Sequence, residues 1–281
     1  IDDGTIQRLS ETKFRITSAE PNFDWIKHNA KGMDVTITDD SFTTAALALQ
    51  GPNSRAILNA VSSDSLNSLK FFWMMDTTFG AIPVSISRTG YTGDLGYEIW
   101  MDPKDALTVW DLLLEKGKSF GITPTGLHAL DIARIEAGLI LLDVDYISSR
   151  HAIIESRKSS PYELGLGWAV KMKKKDFIGK AALAEWQQRG ADNGFVTIEV
   201  LDVVDADARG SEAIYKDGEV VGRGTSGGYG WRCGKSLALG LVRVDLAKIG
   251  TELEIEILGK NYQAIVIEES PFDPTNECLR S

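Results

Sequence analysis

The sequence predicts an α+β protein in two parts, a mixed region over residues 1–190 and a smaller all-β domain over residues 191–281. Two observations carry that expectation. Before Gly190, short strand-like runs are interleaved with capped amphipathic helices. After it, six strand-like runs follow one another with turn residues between them and no helical period.

Taken in order, residues 13–18 and 34–38 alternate apolar and polar side chains, as half-buried strands do. Pro21-Asn22 opens a short helix around Trp25 and Ile26. Residues 45–49 read as a buried strand stopped by Gly51-Pro52, after which Asn53 caps a helix through Ala60. Residues 81–87 and 97–101 are strands joined by a loop rich in Gly and Thr. The clearest helix spans 103–120, with Asp102 as N-cap, Gly121 as stop, and Leu107, Trp110, Leu113 and Leu114 as its apolar face. A second helix starts at Thr125 and carries Leu127, Leu130, Ala133 and Ala137. A third runs from Asp176 to Gly190. Strands follow at 196–200, 212–215, 219–221, 237–244, 252–258 and 264–267, with Asp217-Gly218 as a hairpin turn.

The chain has 281 residues, 43% hydrophobic and 25% charged, which is enough for two domains with sizeable cores. A net charge of -10 opposes attraction to nucleic acid or anionic membrane. The run Lys171 to Lys175 reads as a solvated loop. No apolar run is long enough to span a bilayer. Cys233 and Cys278 lie far apart without CxxC spacing, which favours a reducing compartment.

Gly222, Gly224 and Gly227 satisfy GxGxxG, but Gly228-Tyr229-Gly230 follows where a dinucleotide site needs a helix, so the segment reads as a glycine-rich turn. His28, His128 and His151 have no metal-ligand spacing, and no metal is expected. The loop from Arg88 to Glu98 places glycines at 90, 93 and 96, Tyr91 as a stacking face, and Glu98 as a pair of acceptor oxygens. It reads either as a site for a planar heterocycle with adjacent N–H donors or as an ordinary hairpin. His128, Asp131 and Arg134 share a helical face, as a surface ion pair or as a grip on an anionic ligand. Asp2-Asp3-Gly4 alone is a turn signal.

In order, Ile1-Asp2-Asp3, Leu49-Gln50-Gly51-Pro52-Asn53, Thr89-Gly90-Tyr91-Thr92-Gly93 with Gly96-Tyr97-Glu98-Ile99, Gly126-Leu127 with Arg134-Ile135-Glu136-Ala137-Gly138, Gly165-Leu166-Gly167-Trp168, Asp176-Phe177-Ile178-Gly179-Lys180 and Thr225-Ser226-Gly227 cover almost the whole chain. This set resembles the T-protein family of the glycine cleavage system. The resemblance implies a folate-binding α+β fold of cloverleaf form with a C-terminal all-β, barrel-like domain. It implies tetrahydrofolate as the bound group. Asp2 would be the catalytic acid at the pterin's reactive edge, Glu98 would bind its amino edge, Tyr91 would line the pocket, and Arg134 would help hold the ligand. Thr17 falls where T-proteins carry an Asn that fixes the pterin. Further departures are Leu142-Asp143 after the arginine helix, a longer charged insertion over 145–160, and a 225–236 segment closer to the folate-binding halves of dimethylglycine and sarcosine dehydrogenases.

The resemblance implies a tetrahydrofolate-dependent aminomethyl- or methyltransferase. Its partner would be a lipoyl carrier protein or a small N-methylated donor, in the cytoplasm, or in mitochondria for a eukaryotic chain. The alternatives are the folate domain of an N-methyl amine dehydrogenase and a non-catalytic folate-binding scaffold. Family members carry a stretch ahead of the strand matching Ile1, so the fold is expected to be incomplete at its N-terminus.

Overall fold

In a computed structural model that describes residues 1–281, the chain divides into two compact units. One comprises Asp2–Gly126 with Thr275–Ser281; the other comprises Leu127–Pro274 with Ile1.

In the first unit, β1 (Ile6–Arg8) and β2 (Phe14–Ile16) form an antiparallel hairpin, followed by helix α1 (Phe23–Asn29). Residues 34–38 are not a strand. They pair with no other strand, and Val35 is exposed, so alternation alone did not produce a ladder here. Next come β3 (Ala45–Gln50), α2 (Ser54–Asn59), β4 (Met74–Phe79), β5 (Ile82–Ser87), β6 (Gly96–Met101) and α3 (Ala106–Gly117). The four strands make an antiparallel sheet in the order β3-β6-β5-β4.

One face of this sheet is apolar. Val84, Ile86, Tyr97, Ile99 and Met101 pack with Ile57 and Leu58 of α2 and Val109 and Leu113 of α3 into a single core. The buried stripe of α3 therefore runs through Val109 and Leu113, while Leu107 is exposed, contrary to the expected face. Asp102 does cap this helical stretch, accepting from the Lys104 N–H at 3.0 Å, and Gly121 ends it at φ 77°. Asn53 precedes α2 without capping it; its amide donates to the Phe120 carbonyl at 3.0 Å. β3 is half exposed rather than buried, with only Leu49 fully inside.

The second unit contains α4 (Leu127–Glu136), α5 (Lys180–Arg189) and a closed antiparallel barrel of β7 (Asn193–Val200), β8 (Ala213–Lys216), β9 (Glu219–Gly230), β10 (Lys235–Arg243), β11 (Glu252–Ile257) and β12 (Lys260–Ile267). The barrel order is β10-β7-β12-β11-β8-β9. Its interior holds Ile198, Ile214, Ala238, Val242 and Ile255, all at 0% exposure. Asp217-Gly218, both at positive φ, makes the expected β8–β9 hairpin turn.

The glycine-rich segment after residue 221 is strand, not turn: β9 continues to Gly230. Its glycines are there for close packing. A Cβ on Gly222 would lie 2.4 Å from the Leu241 carbonyl oxygen, and one on Gly227 would lie 2.5 Å from that of Ala208. Helix α4 packs on β9 and β10, its buried end being Arg134, Ile135 and Glu136; Leu127, at its start, is exposed. No helix is long and apolar enough to cross a membrane.

Candidate functional site

Strand register decides which polar side chains share the uncovered face of the four-stranded sheet. Ser87 of β5 lies opposite Glu98 of β6, and Ser85 lies opposite Trp100. On the other side of β6, Ala48 and Ala46 face Glu98 and Trp100, and both alanines are exposed. Glu98, alternating with buried Tyr97 and Ile99, therefore stands half-buried on the polar face beside side chains too small to cover it.

The Glu98 carboxylate is held from one side. Its Oε2 accepts from the Thr89 hydroxyl at 2.8 Å and from the Ser87 hydroxyl at 3.4 Å, and Ser87 and Thr89 are themselves 2.9 Å apart. Trp100 Nε1–H donates to Ser87 at 3.0 Å, and the Arg15 guanidinium lies 5.3 Å over the Trp100 ring. That contact brings the β1–β2 hairpin against the same sheet. Oε1 of Glu98 has no protein partner.

The loop between β5 and β6 wraps around Gln50, whose amide donates to the Tyr97 carbonyl at 3.2 Å and accepts from Thr92 at 3.2 Å. A Cβ on Gly90 or Gly96 would sit 1.9 Å from the Gln50 side-chain oxygen. Two of the three spaced glycines are thus explained by Gln50, not by approach of a flat ligand. Tyr91 sits half-buried in this loop.

Asp2 and Thr17 belong to the same unit as Glu98 and Tyr91. Asp2 Oδ2 accepts from the Asn22 side-chain amide at 2.9 Å and from the Glu20 N–H at 3.3 Å, and Oδ1 accepts from the Asp3 N–H at 2.8 Å. Thr17 is committed to the hairpin: its hydroxyl accepts from the Thr5 N–H at 2.9 Å and pairs with the Thr5 hydroxyl at 2.8 Å. Asn22 was legible only as a residue before a helix. The structure buries it and turns its amide to the Asp2 carboxylate.

Arg134 belongs to the barrel unit and is not a surface residue; it is 1% exposed. Its guanidinium donates to Asp131 at 2.9 Å, the Leu139 carbonyl at 3.3 Å, Asp145 at 2.5 Å and Ser226 at 2.6 Å. Asp145 also accepts from the Leu141 N–H at 2.8 Å, Thr225 at 2.5 Å and Ser226 at 2.7 Å. Asp145, read from sequence as the start of a charged insertion, is fully buried at the centre of this knot. Glu136 forms a second clasp, accepting from the Arg232 backbone at 2.6 Å and from its guanidinium, which stacks 3.7 Å over Phe272. Beside it, burial and the Glu136 charge push the Cys233 thiol up to about 11. An open groove of about 530 Å³ on the barrel is lined by Ile132, Asp207, Arg209, Tyr229, Trp231 and Leu258 among others, and holds none of the candidate residues.

The sheet that carries the Glu98 carboxylate, joined in sequence to a closed six-stranded barrel, defines an α+β unit with a barrel module. Residues 1–174 match the GCVT N-terminal domain model, and residues 194–273 match the glycine cleavage T-protein C-terminal barrel domain. The chain belongs to the glycine cleavage T-protein family. It is 38% identical to an aminomethyltransferase of Bacillus licheniformis over 97% of its length and 73% of the relative's. It is 35% identical to one of Halothermothrix orenii over 95% of this chain and 73% of that one. The crystal structure of glycine cleavage system aminomethyltransferase T from Bartonella henselae aligns with a TM-score of 0.83 at 28% identity, covering 96% of this chain and 72% of that chain. The resemblance and the fold class read from the sequence are borne out.

Proposed function

We propose that this chain is an aminomethyltransferase that moves a one-carbon unit from a lipoyl-carried aminomethyl group to tetrahydrofolate. The observation that carries the reading is Glu98, a half-buried carboxylate with one oxygen anchored and the other without a protein partner, on the open face of a family-typical sheet. Such a group fits the adjacent N–H donors at the edge of a reduced pterin, because parallel N–H···O pairs to a carboxylate combine strength with geometric selection. When bound, the folate supplies the nitrogens that receive the carbon. The chain's own residues bind and orient it: Glu98 fixes the amino edge, Tyr91 offers an aromatic wall, and Thr17 holds the hairpin in place. Asp2, steadied by Asn22 and the Glu20 N–H, serves as the acid that exchanges a proton at the reacting nitrogen and offsets positive charge developing there. Arg134, enclosed by protein acceptors, acts as a framework residue in this reading. The donor protein is the lipoyl carrier of glycine cleavage, and the compartment is one that holds reduced folate, cytoplasm or mitochondrial matrix.

Thermal-shift titration with tetrahydrofolate tests the binding half, since a ligand of the native state raises the melting temperature by mass action. The wild type shifts and Glu98→Ala does not. Asp2→Asn keeps the shift and loses aminomethyl transfer by at least about a hundredfold, the usual range for a removed acid. Folded wild type that shows no shift overturns the reading.

A further inference from the structure

We propose that Trp100, Ser87 and Thr89 form a one-way hydrogen-bond relay that positions Glu98 for recognition of adjacent N–H donors; the proposal rests on the folate reading above. The direction of the relay follows from its two ends. The indole nitrogen can only donate, and it donates to Ser87 at 3.0 Å. At the other end, the Thr89 hydroxyl donates to Glu98 Oε2 at 2.8 Å, so its hydrogen is committed there. The 2.9 Å contact between Ser87 and Thr89 is then open only to the serine hydrogen, for which the threonine oxygen is a nearer acceptor than Glu98 Oε2 at 3.4 Å. Every hydroxyl hydrogen in the chain is aimed at the carboxylate. Bonds arranged head to tail in a buried chain polarise one another and strengthen the last link.

Burial supports a built arrangement rather than a chance contact. Ser87 is 3% exposed and Thr89 is 8% exposed, whereas Glu98 itself is only half-buried. The relay thus enters Glu98 from the protein side, occupies lone-pair capacity on Oε2, and leaves Oε1 unpartnered. Carboxylate rotation about the last side-chain bond is broad and nearly two-fold in isolation. A donor fixed on one oxygen removes that freedom and selects the orientation that meets two parallel N–H groups. The Arg15 guanidinium over the Trp100 face closes the relay's far end. Thr89 is therefore a positioning residue whose effect is selective. It matters for a ligand that pairs with both carboxylate oxygens and little for one that meets a single oxygen.

The test compares two ligands on four proteins by calorimetric titration: tetrahydrofolate, and its 2-desamino analogue, which lacks one of the adjacent donors. Thr89→Val deletes the last hydroxyl at nearly constant volume and should weaken tetrahydrofolate about tenfold, the scale of a lost bond to a charged group. Its affinity for the desamino analogue should change less than about twofold. Thr89→Ser should restore tetrahydrofolate binding to within about twofold of wild type. Trp100→Phe, removing the first donor only, should cost about threefold. If Thr89→Val binds tetrahydrofolate like wild type, or weakens both ligands equally while Thr89→Ser does the same, the relay is wrong and the folate reading survives. If the folded wild type binds neither ligand, the folate reading falls and takes the relay with it.

Discussion

Glu98 and Asp145 are both carboxylates held by Ser and Thr hydroxyls, and they end in opposite conditions. Asp145, at 0% exposure, has both oxygens engaged, by the Arg134 guanidinium, the Leu141 N–H, Thr225 and Ser226. Glu98 has Oε2 anchored and Oε1 left over, on a face flanked by alanines. The difference separates what a polar group does for the fold from what it can do for a ligand. A saturated buried acid fixes the chain around it, and removing a partner leaves a charge in low dielectric. A half-saturated acid at a surface costs little to leave open and keeps its direction for something else.

Breaking the saturated site should have the largest effect. Arg134→Ala leaves Asp145 buried opposite an empty guanidinium site and should lower stability by about 3–5 kcal/mol, read from the shift of the urea midpoint at unchanged slope. A loss below about 1 kcal/mol would show that the knot tolerates an unpaired acid and would blur the contrast.

The second clasp of the barrel unit gives a chemical readout of the same saturation. With burial first and Glu136 second, the Cys233 thiol ionises only near pH 11. A pKa raised this far leaves the neutral thiol in place at pH 8, and thiolate appears only as pH climbs toward 11. Cys278 is exposed. Iodoacetamide at pH 8 should therefore label Cys233 on the order of a hundredfold more slowly than a free cysteine in solution, whose thiol ionises near about 8.5, and more slowly than the exposed Cys278. Peptide mass mapping over time measures this, and equal rates would mean that the Glu136 clasp opens readily.

A smaller loss is expected where the barrel is tight without charge. Gly227→Ala would bring a methyl within 2.5 Å of the Ala208 carbonyl oxygen and 2.8 Å of its Cβ, so backbone must move. Overpacking of this kind costs about 1–3 kcal/mol in thermal or denaturant unfolding. Unchanged stability would place the strain elsewhere.

How much of this was legible in the sequence depended on how local the signal was. The β8–β9 turn was readable because Asp217-Gly218 needs nothing beyond itself. The capped stretch 103–120 was readable for the same reason, although the exposed Leu107 shows that an apolar residue does not choose its own face. β9 was misjudged because glycines signal a turn locally, whereas here they admit the backbones of Ala208 and residues on β10. The candidate acids were legible only through family resemblance. Their partners were not: Thr89 reaches Glu98 from the β5–β6 loop across 9 positions, Asn22 reaches Asp2 across 20, and Ser226 reaches Asp145 across 81. A motif carries the group that acts, and the fold supplies the groups that aim it.

The smallest stability effect sharpens the comparison most. Glu98→Gln keeps the size of the side chain and an oxygen for Thr89 to donate to, and replaces the other oxygen by an N–H donor. Because the site is half-buried and its outer oxygen has no protein partner, unfolding should change by less than about 1 kcal/mol. Against a ligand edge that also donates, however, the new N–H meets another N–H, so tetrahydrofolate affinity should fall at least about tenfold. In Arg134→Ala the expected order is reversed, with stability lost first. If Glu98→Gln destabilised the chain as much as Arg134→Ala while leaving tetrahydrofolate binding intact, Glu98 would be another framework acid, and the division between saturated and open carboxylates would not hold in this protein.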